Sequence, residues 1–89
     1  MPVVWLARAQ SELATIRAYI AADNPSAAQR MGRRLIDATL ALEKNPEMGR
    51  RGLFFDTREW VVYPYILIYR VRGADIQILR VIHGARRRP

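Results

Sequence analysis

The sequence predicts an α+β fold in which one strand and two helices are followed by three further strands, in the order β-α-α-β-β-β. Two stripes of apolar residues with helical spacing occupy the first half of the chain, and three runs rich in aromatic and β-branched residues occupy the second half. We therefore expect a helical hairpin packed on one face of a twisted antiparallel sheet. A chain of 89 residues has room for one hydrophobic core, so residues 1–89 are expected to form a single domain.

The N-terminal half is predicted to contain a short strand and an αα-hairpin. Residues 3–6 form an apolar run that favours a strand, and residues 8–22 then carry apolar side chains at helical intervals. Asn24 and Pro25 separate the two helices, since asparagine caps a helix well and proline loses no needed hydrogen bond at the first helical position. The second helix is expected to end near Asn45-Pro46, and Gly32 within it indicates close approach of the first helix. The apolar stripes are Ala9, Leu13, Ile16 and Ile20 in the first helix, and Ala28, Met31, Leu35, Ala38 or Thr39, and Leu42 in the second.

The C-terminal half is predicted to contain a loop and three strands. Residues 46–57 include two glycines and show no clear period, so they are expected to form the loop. The strands are expected at residues 58–62, 65–72 and 75–82, with turns at Tyr63-Pro64 and Gly73-Ala74. Both faces of residues 65–69 are apolar, which is typical of a central strand covered on both sides.

Arg80 occupies an unusual position in the last predicted strand. Strict alternation places Ile76, Ile78, Arg80 and Ile82 on one face, so that a charge lies among isoleucines. A charge in that position must be paired or must reach water. We expect either a salt bridge at the sheet, with Glu59 as the partner, or a functional role for the guanidinium.

Arginine dominates the charge of the chain. Fifteen basic residues stand against eight acidic residues, which gives a net charge of +7, and all of the basic residues except Lys44 are arginine. The residues that follow Asp75 carry four arginines and no acid. A guanidinium suits phosphate and carboxylate alike, so the charge alone predicts either a nucleic acid or an acidic protein as the partner.

The composition excludes several kinds of site. The chain has no cysteine and a single histidine, His83, which excludes disulfides, thiolate metal sites and multi-histidine centres, so no metal and no cofactor are expected. The first residues lack the apolar run of a signal peptide, and no stretch approaches the ~20 apolar residues that span a bilayer. We therefore expect a soluble, cytoplasmic protein that does not contact a membrane.

A catalytic nucleophile–base pair in this chain would need a serine or threonine near His83. The predicted elements place no serine or threonine near it, no pair of acids stands out, and no glycine-rich phosphate loop is present. A metal-free ribonuclease would need a histidine or an acid to move protons and arginines to stabilise the phosphate, and the candidates are His83, Arg58, Arg70, Arg80 and Arg86. The alternative is that His83 caps a strand end and that the arginines form a solvated basic face.

Short segments in a fixed order and spacing run along nearly the whole chain. They are Trp5, Arg8-Ala9, Leu13 and Tyr19-Ile20; Asn24-Pro25 and Ala27-Ala28; Pro46-Glu47-Met48-Gly49-Arg50 and Thr57-Arg58-Glu59; Pro64-Tyr65-Ile66-Leu67-Ile68-Tyr69-Arg70-Val71; and Ile78-Leu79-Arg80-Val81-Ile82-His83-Gly84-Ala85-Arg86. In this order and spacing the chain resembles the RelE/ParE superfamily of type II toxins. The β-α-α-β-β-β order of that superfamily is the one that the residue patterns predict independently.

The resemblance implies a toxin that a cognate antitoxin keeps silent, in a module for plasmid stabilisation or stress. The antitoxin, ParD-like or RelB-like, is expected to fold its C-terminal segment across the toxin surface. An acidic amphipathic helix would complement a basic surface lined with apolar residues. DNA would be contacted only indirectly, through the antitoxin.

The resemblance also implies two alternative targets, because RelE-like members are ribosome-dependent mRNA endonucleases and ParE-like members poison DNA gyrase. In the RelE branch an arginine follows the tyrosine that opens the middle strand, where this chain has Ile66. That branch also carries lysines on the preceding strand, where this chain has Arg58-Glu59-Trp60, and an active tyrosine beyond the last strand, which has no counterpart after Gly84. These differences and the long αα-hairpin favour a ParE-like toxin that inhibits growth by binding gyrase.

The candidate site residues follow from these alternatives. The expected target-binding residues are His83, Arg86, Arg87, Arg88, Arg58 and Arg70. For a nuclease, the expected catalytic residues are His83, Arg58, Arg80 and Arg86. A basic nucleic-acid-binding module is the third hypothesis, although the chain has no helix-turn-helix and no aromatic-interleaved RNA motif.

Overall fold

Two helices and five strands make up residues 1–86, the part of the chain that the computed structural model describes. They are β1 (Val3–Trp5), α1 (Ala7–Ala21), α2 (Pro25–Lys44), β2 (Arg50–Arg51), β3 (Arg58–Val62), β4 (Tyr65–Arg72) and β5 (Asp75–His83), followed by a 3-10 turn at Gly84–Arg86. The predicted order β-α-α-β-β-β is confirmed. The expected loop at residues 46–57 is interrupted by β2, because Arg50 and Arg51 pair with Glu59 and Arg58 of β3.

The junction of the two helices is fixed by the residues predicted for it. The side chain of Asn24 accepts a hydrogen bond from the backbone N–H of Ala27 at 3.1 Å, and Pro25 opens α2. The close approach predicted at Gly32 is confirmed as well, since a Cβ atom there would lie 3.2 Å from Nε of Arg17 on α1.

The five strands form one mixed sheet in the order β1-β5-β4-β3-β2. Neighbouring strands from β5 to β2 are antiparallel, as expected, whereas β1 runs parallel to β5, with Val3 opposite Ile76 and Trp5 opposite Ile78. Parallel pairing requires a long crossover connection, and the chain between β1 and β5 is long enough to provide it. The central position predicted for residues 65–69 is confirmed, because β4 lies in the middle of the sheet with these residues buried.

A β-bulge interrupts the pairing of β4 with β5. The register passes from Ile68 opposite Arg80 to Tyr69 opposite Ile78, so β5 contains Leu79 as one extra residue. A bulge of this kind adds a residue to one strand and shifts the faces of the residues that follow it.

The bulge changes which side chains of β5 face the helices. Ile76, Ile78 and Val81 belong to the core beneath the helices, whereas Arg80 and Ile82 do not. The expectation that Arg80 and Ile82 share a face with Ile76 and Ile78 is therefore wrong, because strict alternation takes no account of an inserted residue.

The core lies between the helices and one face of the sheet. Helix α1 packs on β5, and α2 packs on β1 and β3. The largest fully buried side chains are Tyr69, Leu35, Leu42, Leu67, Ile76 and Ile78. Burying an aliphatic side chain of this size contributes about 1.5–3 kcal/mol to folding. Within residues 1–86, neither helix is long and apolar enough to cross a membrane.

Candidate functional site

His83 ends β5 and lies exposed at one end of the sheet. Its ring stands edge-on against the ring of Tyr65, with the centroids 5.6 Å apart and the planes at 81°. Nδ1 of His83 accepts a hydrogen bond from the backbone N–H of Ala85 at 3.1 Å. In the neutral ring the proton is therefore on Nε2, so His83 is arranged to donate a hydrogen bond to a partner.

A cleft of about 650 Å³ separates α1 from the end of β5, and His83 lies on its sheet side. The other lining residues are Ser11, Glu12, Thr15, Ile16, Tyr19, Tyr65, Arg80, Val81, Ile82 and Ala85. Ser11 and Thr15 thus lie in the same cleft as His83, contrary to expectation, because α1 packs across β5. Within residues 1–86 no hydrogen bond joins either hydroxyl to His83, and no group of three or more acidic or histidine side chains could hold a metal ion.

Arg80 is held by a carboxylate of α1. Its Nε and Nη2 donate to Oε2 of Glu12 at 2.9 and 2.8 Å, while Oε1 of Glu12 accepts from the backbone N–H of Val81 at 2.9 Å. The expectation that Glu59 is the partner of Arg80 is therefore wrong. Glu12 lies far away in the chain and reaches the edge of β5 only because α1 packs there. The guanidinium serves as a clamp between α1 and β5.

Arg58 is also occupied by contacts within the fold. Its Nη1 donates to the backbone carbonyls of Glu47 at 3.2 Å and of Gly49 at 2.8 Å. These bonds attach the start of β3 to the segment that follows α2. The side chain is only partly exposed, which limits how much of the guanidinium a target can contact.

The neighbouring charged residues have partners as well. Glu59 is 2 % exposed, and its Oε1 lies 3.3 Å from both Nε and Nη2 of Arg50. Arg70 donates from Nε to Oε1 of Gln77 at 2.9 Å across the β4–β5 pair. Glu59 of β3 and Arg70 of β4 are therefore both engaged in contacts within the fold.

Three arginines of the expected target-binding set follow β5. Arg86 is the last residue of the 3-10 turn, whereas Arg87 and Arg88 lie outside the described residues. The turn starts where the backbone N–H of Gly84 donates to the carbonyl of Pro64 at 2.8 Å. This bond directs the chain back toward the β3–β4 turn.

The strand register separates Arg58 from His83. Arg58 lies opposite Tyr69 and His83 opposite Tyr65, which are four residues apart on β4, or about 13 Å along the strand. Arg80 and His83, in contrast, share the cleft beside α1. The structure thus brings two of the candidate residues together and places Arg58 toward the other end of the sheet.

Tyr69 and Gly49 form a buried junction that sequence reasoning missed. The hydroxyl of Tyr69 donates to the carbonyl of Pro46 at 2.7 Å and accepts from the backbone N–H of Gly49 at 3.0 Å. Burial raises the pKa of Tyr69 above 10.0, although the bond from Gly49 and the charge of Arg58 act in the opposite direction. A Cβ atom at Gly49 would lie 2.5 Å from the hydroxyl, so only glycine fits. The signal available in the sequence was Gly49 itself, in a segment with no period.

The fold and the segments around this cleft match those of known proteins. The family described as the ParE toxin of the type II toxin–antitoxin system parDE matches residues 3–88. The chain belongs to the ParE toxin family. The predicted membership of the RelE/ParE superfamily is thereby confirmed, and so is the predicted role as the toxin of a type II toxin–antitoxin system with a cognate antitoxin as its partner.

Individual relatives cover almost the full length of the chain. Toxin RelE2 of Caulobacter vibrioides (strain ATCC 19089 / CIP 103742 / CB 15) is 42 % identical over 84 residues, which cover 94 % of this chain and 96 % of the relative. A chain of the chromosomal ParDE TA system from P. aeruginosa superposes with a TM-score of 0.80 at 25 % identity, covering 93 % of this chain and 95 % of that one. Sequence and fold therefore agree on the family.

Proposed function

We propose that this ParE-family toxin stops growth by binding DNA gyrase and performs no chemistry of its own. The main support for the proposal is that two arginines that a nuclease would need beside His83 are bound to other groups of the fold. Arg80 is clamped by Glu12, and Arg58 is bound to backbone carbonyls toward the other end of the sheet. Nδ1 of His83 already accepts from the backbone N–H of Ala85, which leaves the Nε2 side of the exposed ring to contact a partner.

The proposed contact surface is the end of the sheet that carries His83. It includes the cleft residue Tyr19, which is 80 % exposed, and the arginines Arg86, Arg87 and Arg88 that follow. Arg58 and Arg70 lie toward the other end of the sheet and are bonded to backbone carbonyls and to Gln77, so they would add only a limited contact to this surface. Arginine and tyrosine are enriched at the centres of protein interfaces, since each combines apolar surface with hydrogen-bond donors.

A supercoiling assay tests the proposal. Purified toxin is expected to inhibit gyrase at the concentrations that stop growth, and the H83A variant should retain part of that inhibition because His83 is one contact among several. Supercoiling that proceeds unchanged at those concentrations would count against gyrase as the target.

We further propose that residues 1–89 act as one domain, that the toxin works in the cytoplasm where gyrase is found, and that its module stabilises a plasmid.

A ribosome-dependent mRNA endonuclease is the second candidate. It is favoured by the relative named toxin RelE2 and by the position of His83, exposed and in the same cleft as Arg80. The H83A variant would then lose toxicity completely while it still binds the antitoxin, and message on ribosomes would be cut when toxin is induced. Intact message during growth arrest would eliminate this candidate.

A further inference from the structure

Three successive apolar side chains lie exposed in the connection between β2 and β3. Leu53 is 54 % exposed, Phe54 is 71 % exposed and Phe55 is 93 % exposed, and we call residues 53–55 the aromatic loop. Single apolar residues on a surface are ordinary, whereas a contiguous group that includes two phenyl rings marks a place where another molecule binds. The functions proposed above do not use this loop.

Hydrogen bonds at its base close the aromatic loop. The backbone N–H of Gly52 donates to the carbonyl of Thr57 at 2.9 Å, and both the N–H and the hydroxyl of Thr57 donate to the carbonyl of Phe54, at 3.2 and 2.7 Å. Asp56 has a positive φ of 57°, and its Oδ2 lies 3.6 Å from Nη2 of Arg72 on β4. These contacts hold the two rings on one backbone conformation, which lowers the entropy lost when a partner binds them.

The aromatic loop lies at the opposite end of the sheet from His83. Asp56, next to the loop, pairs with Arg72, whereas His83 lies opposite Tyr65. Arg72 and Tyr65 are seven residues apart on β4, or about 23 Å along the strand. An interface of ordinary size covers about 800 Å² on each partner, roughly 28 Å on a side. One bound protein can therefore contact both the loop and the surface at His83.

The charge around the aromatic loop is balanced. Residues 46–59 contain three arginines and three acidic residues, so the net charge of this segment is zero in a chain that carries +7. A nucleic acid or an anionic membrane is attracted by an excess of positive charge, which this segment does not have. Two phenyl rings gain free energy when an apolar pocket removes them from water. The loop therefore fits a concave, apolar site on a protein.

We propose that the aromatic loop inserts Phe54 and Phe55 into an apolar pocket of the protein that the toxin inhibits. The inference rests on the proposed function in one respect, namely that the toxin acts by binding a protein. Aromatic side chains at the centre of an interface contribute most to affinity, whereas charged residues at its rim mainly speed association. The loop thus holds the toxin on its target, and His83 with the arginines that follow it orients the complex.

Inhibition of gyrase supercoiling is compared between the wild type and the variant F54S/F55S. The toxin concentration for half inhibition should rise at least about tenfold, because both rings are lost from the interface. F54L/F55L should raise it by less than about threefold, since leucine keeps most of the apolar surface. The control I36S/L40S removes two exposed apolar side chains from α2 and should leave it unchanged. Circular dichroism confirms that each variant is folded, and equal inhibition by F54S/F55S and the wild type would overturn the proposal.

A growth assay separates the role of the loop from the identity of the target. Induced F54S/F55S should fail to stop growth, although it accumulates to the level of the wild type. If the wild type leaves supercoiling unchanged, gyrase is not the target, and growth alone then decides on the loop. Loss of growth arrest in F54S/F55S but not in I36S/L40S would support the loop contact. Full growth arrest by F54S/F55S would overturn it, whichever protein is the target.

Three further outcomes would assign the aromatic loop to another partner and overturn the proposal. The first is a loss of antitoxin binding in F54S/F55S as large as its loss of inhibition, whereas we expect a change of less than about twofold. The second is binding of the wild type, but not of F54S/F55S, to vesicles of phosphatidylethanolamine and phosphatidylglycerol. The third is a wild-type dimer in sedimentation experiments that F54S/F55S converts to a monomer.

Discussion

The arginines of the sheet and those of the αα-hairpin have the same chemistry but different surroundings. On the sheet, Arg58 donates to two backbone carbonyls and Arg80 to Glu12, so both guanidiniums hold the fold together. On the hairpin, Arg33 and Arg34 line an open groove and have no acidic partner within residues 1–86. Net charge therefore does not reveal which arginines a partner can use. The comparison predicts that breaking the contacts of a sheet arginine lowers the free energy of unfolding, whereas replacing a hairpin arginine leaves it nearly unchanged.

The largest effect is expected for Glu12→Ala. The substitution leaves Arg80 without its carboxylate and the backbone N–H of Val81 without its acceptor, which should lower the free energy of unfolding by about 2 kcal/mol, since the pair is partly exposed. Urea denaturation measures the change. Asp37→Ala is the matched control, because Asp37 also lies on a helix but has no ion pair within residues 1–86. Equal shifts of the urea midpoint in both variants would show that the contacts of Glu12 with β5 do not stabilise the fold.

A smaller loss is expected for Tyr69→Phe. Removing the hydroxyl deprives the carbonyl of Pro46 and the N–H of Gly49 of their partner and should cost about 1–2 kcal/mol. Thermal or urea unfolding provides the measurement. Tyr63→Phe should change little, since Tyr63 is 78 % exposed. Equal stability of Tyr69→Phe and the wild type would indicate that the junction does not support the sheet.

The same residue predicts a dependence of stability on pH. Burial raises the pKa of Tyr69 above its ordinary value of 10.0, so the unfolded chain releases this proton at a lower pH than the folded chain. The contribution to stability is complete below pH 10.0 and is lost as pH rises through the folded pKa. Comparing the urea midpoints of the wild type and Tyr69→Phe on both sides of that pH isolates the effect. A difference between the two that stays constant with pH would contradict it.

The smallest effect on stability is expected in the hairpin. Arg33→Gln and Arg34→Gln should each change the free energy of unfolding by less than about 0.5 kcal/mol, because these side chains are exposed and have no ion pair within residues 1–86. Arg58→Gln, matched in chemistry, should cost more because it releases two carbonyl contacts. Unfolding curves collected together compare the three variants. A larger loss of unfolding free energy in Arg33→Gln or Arg34→Gln than in Arg58→Gln would contradict the distinction between the two regions.

The sequence by itself determined the order of the elements, nearly all of their bounds and the family. Helical stripes, the Asn24-Pro25 junction and alternating strand residues are local features, and each depends on neighbours only a few positions away. His83 could be named as a candidate site residue because the chain has no other histidine. The same local rules indicated a close approach at Gly32, where the side chain of Arg17 from α1 lies against the bare backbone.

The tertiary structure alone decided the pairing of β1 with β5, the bulge at Leu79 and the partner of each arginine. Arg80 binds Glu12 from the other half of the sequence, and the groove lined by Arg33 and Arg34 exists only because α1 and α2 lie side by side. Such contacts depend on packing between segments that are distant in the chain, and no spacing of residues encodes them directly. For this reason the net charge predicted a charged partner, whereas the fold determined which arginines remain free to meet it.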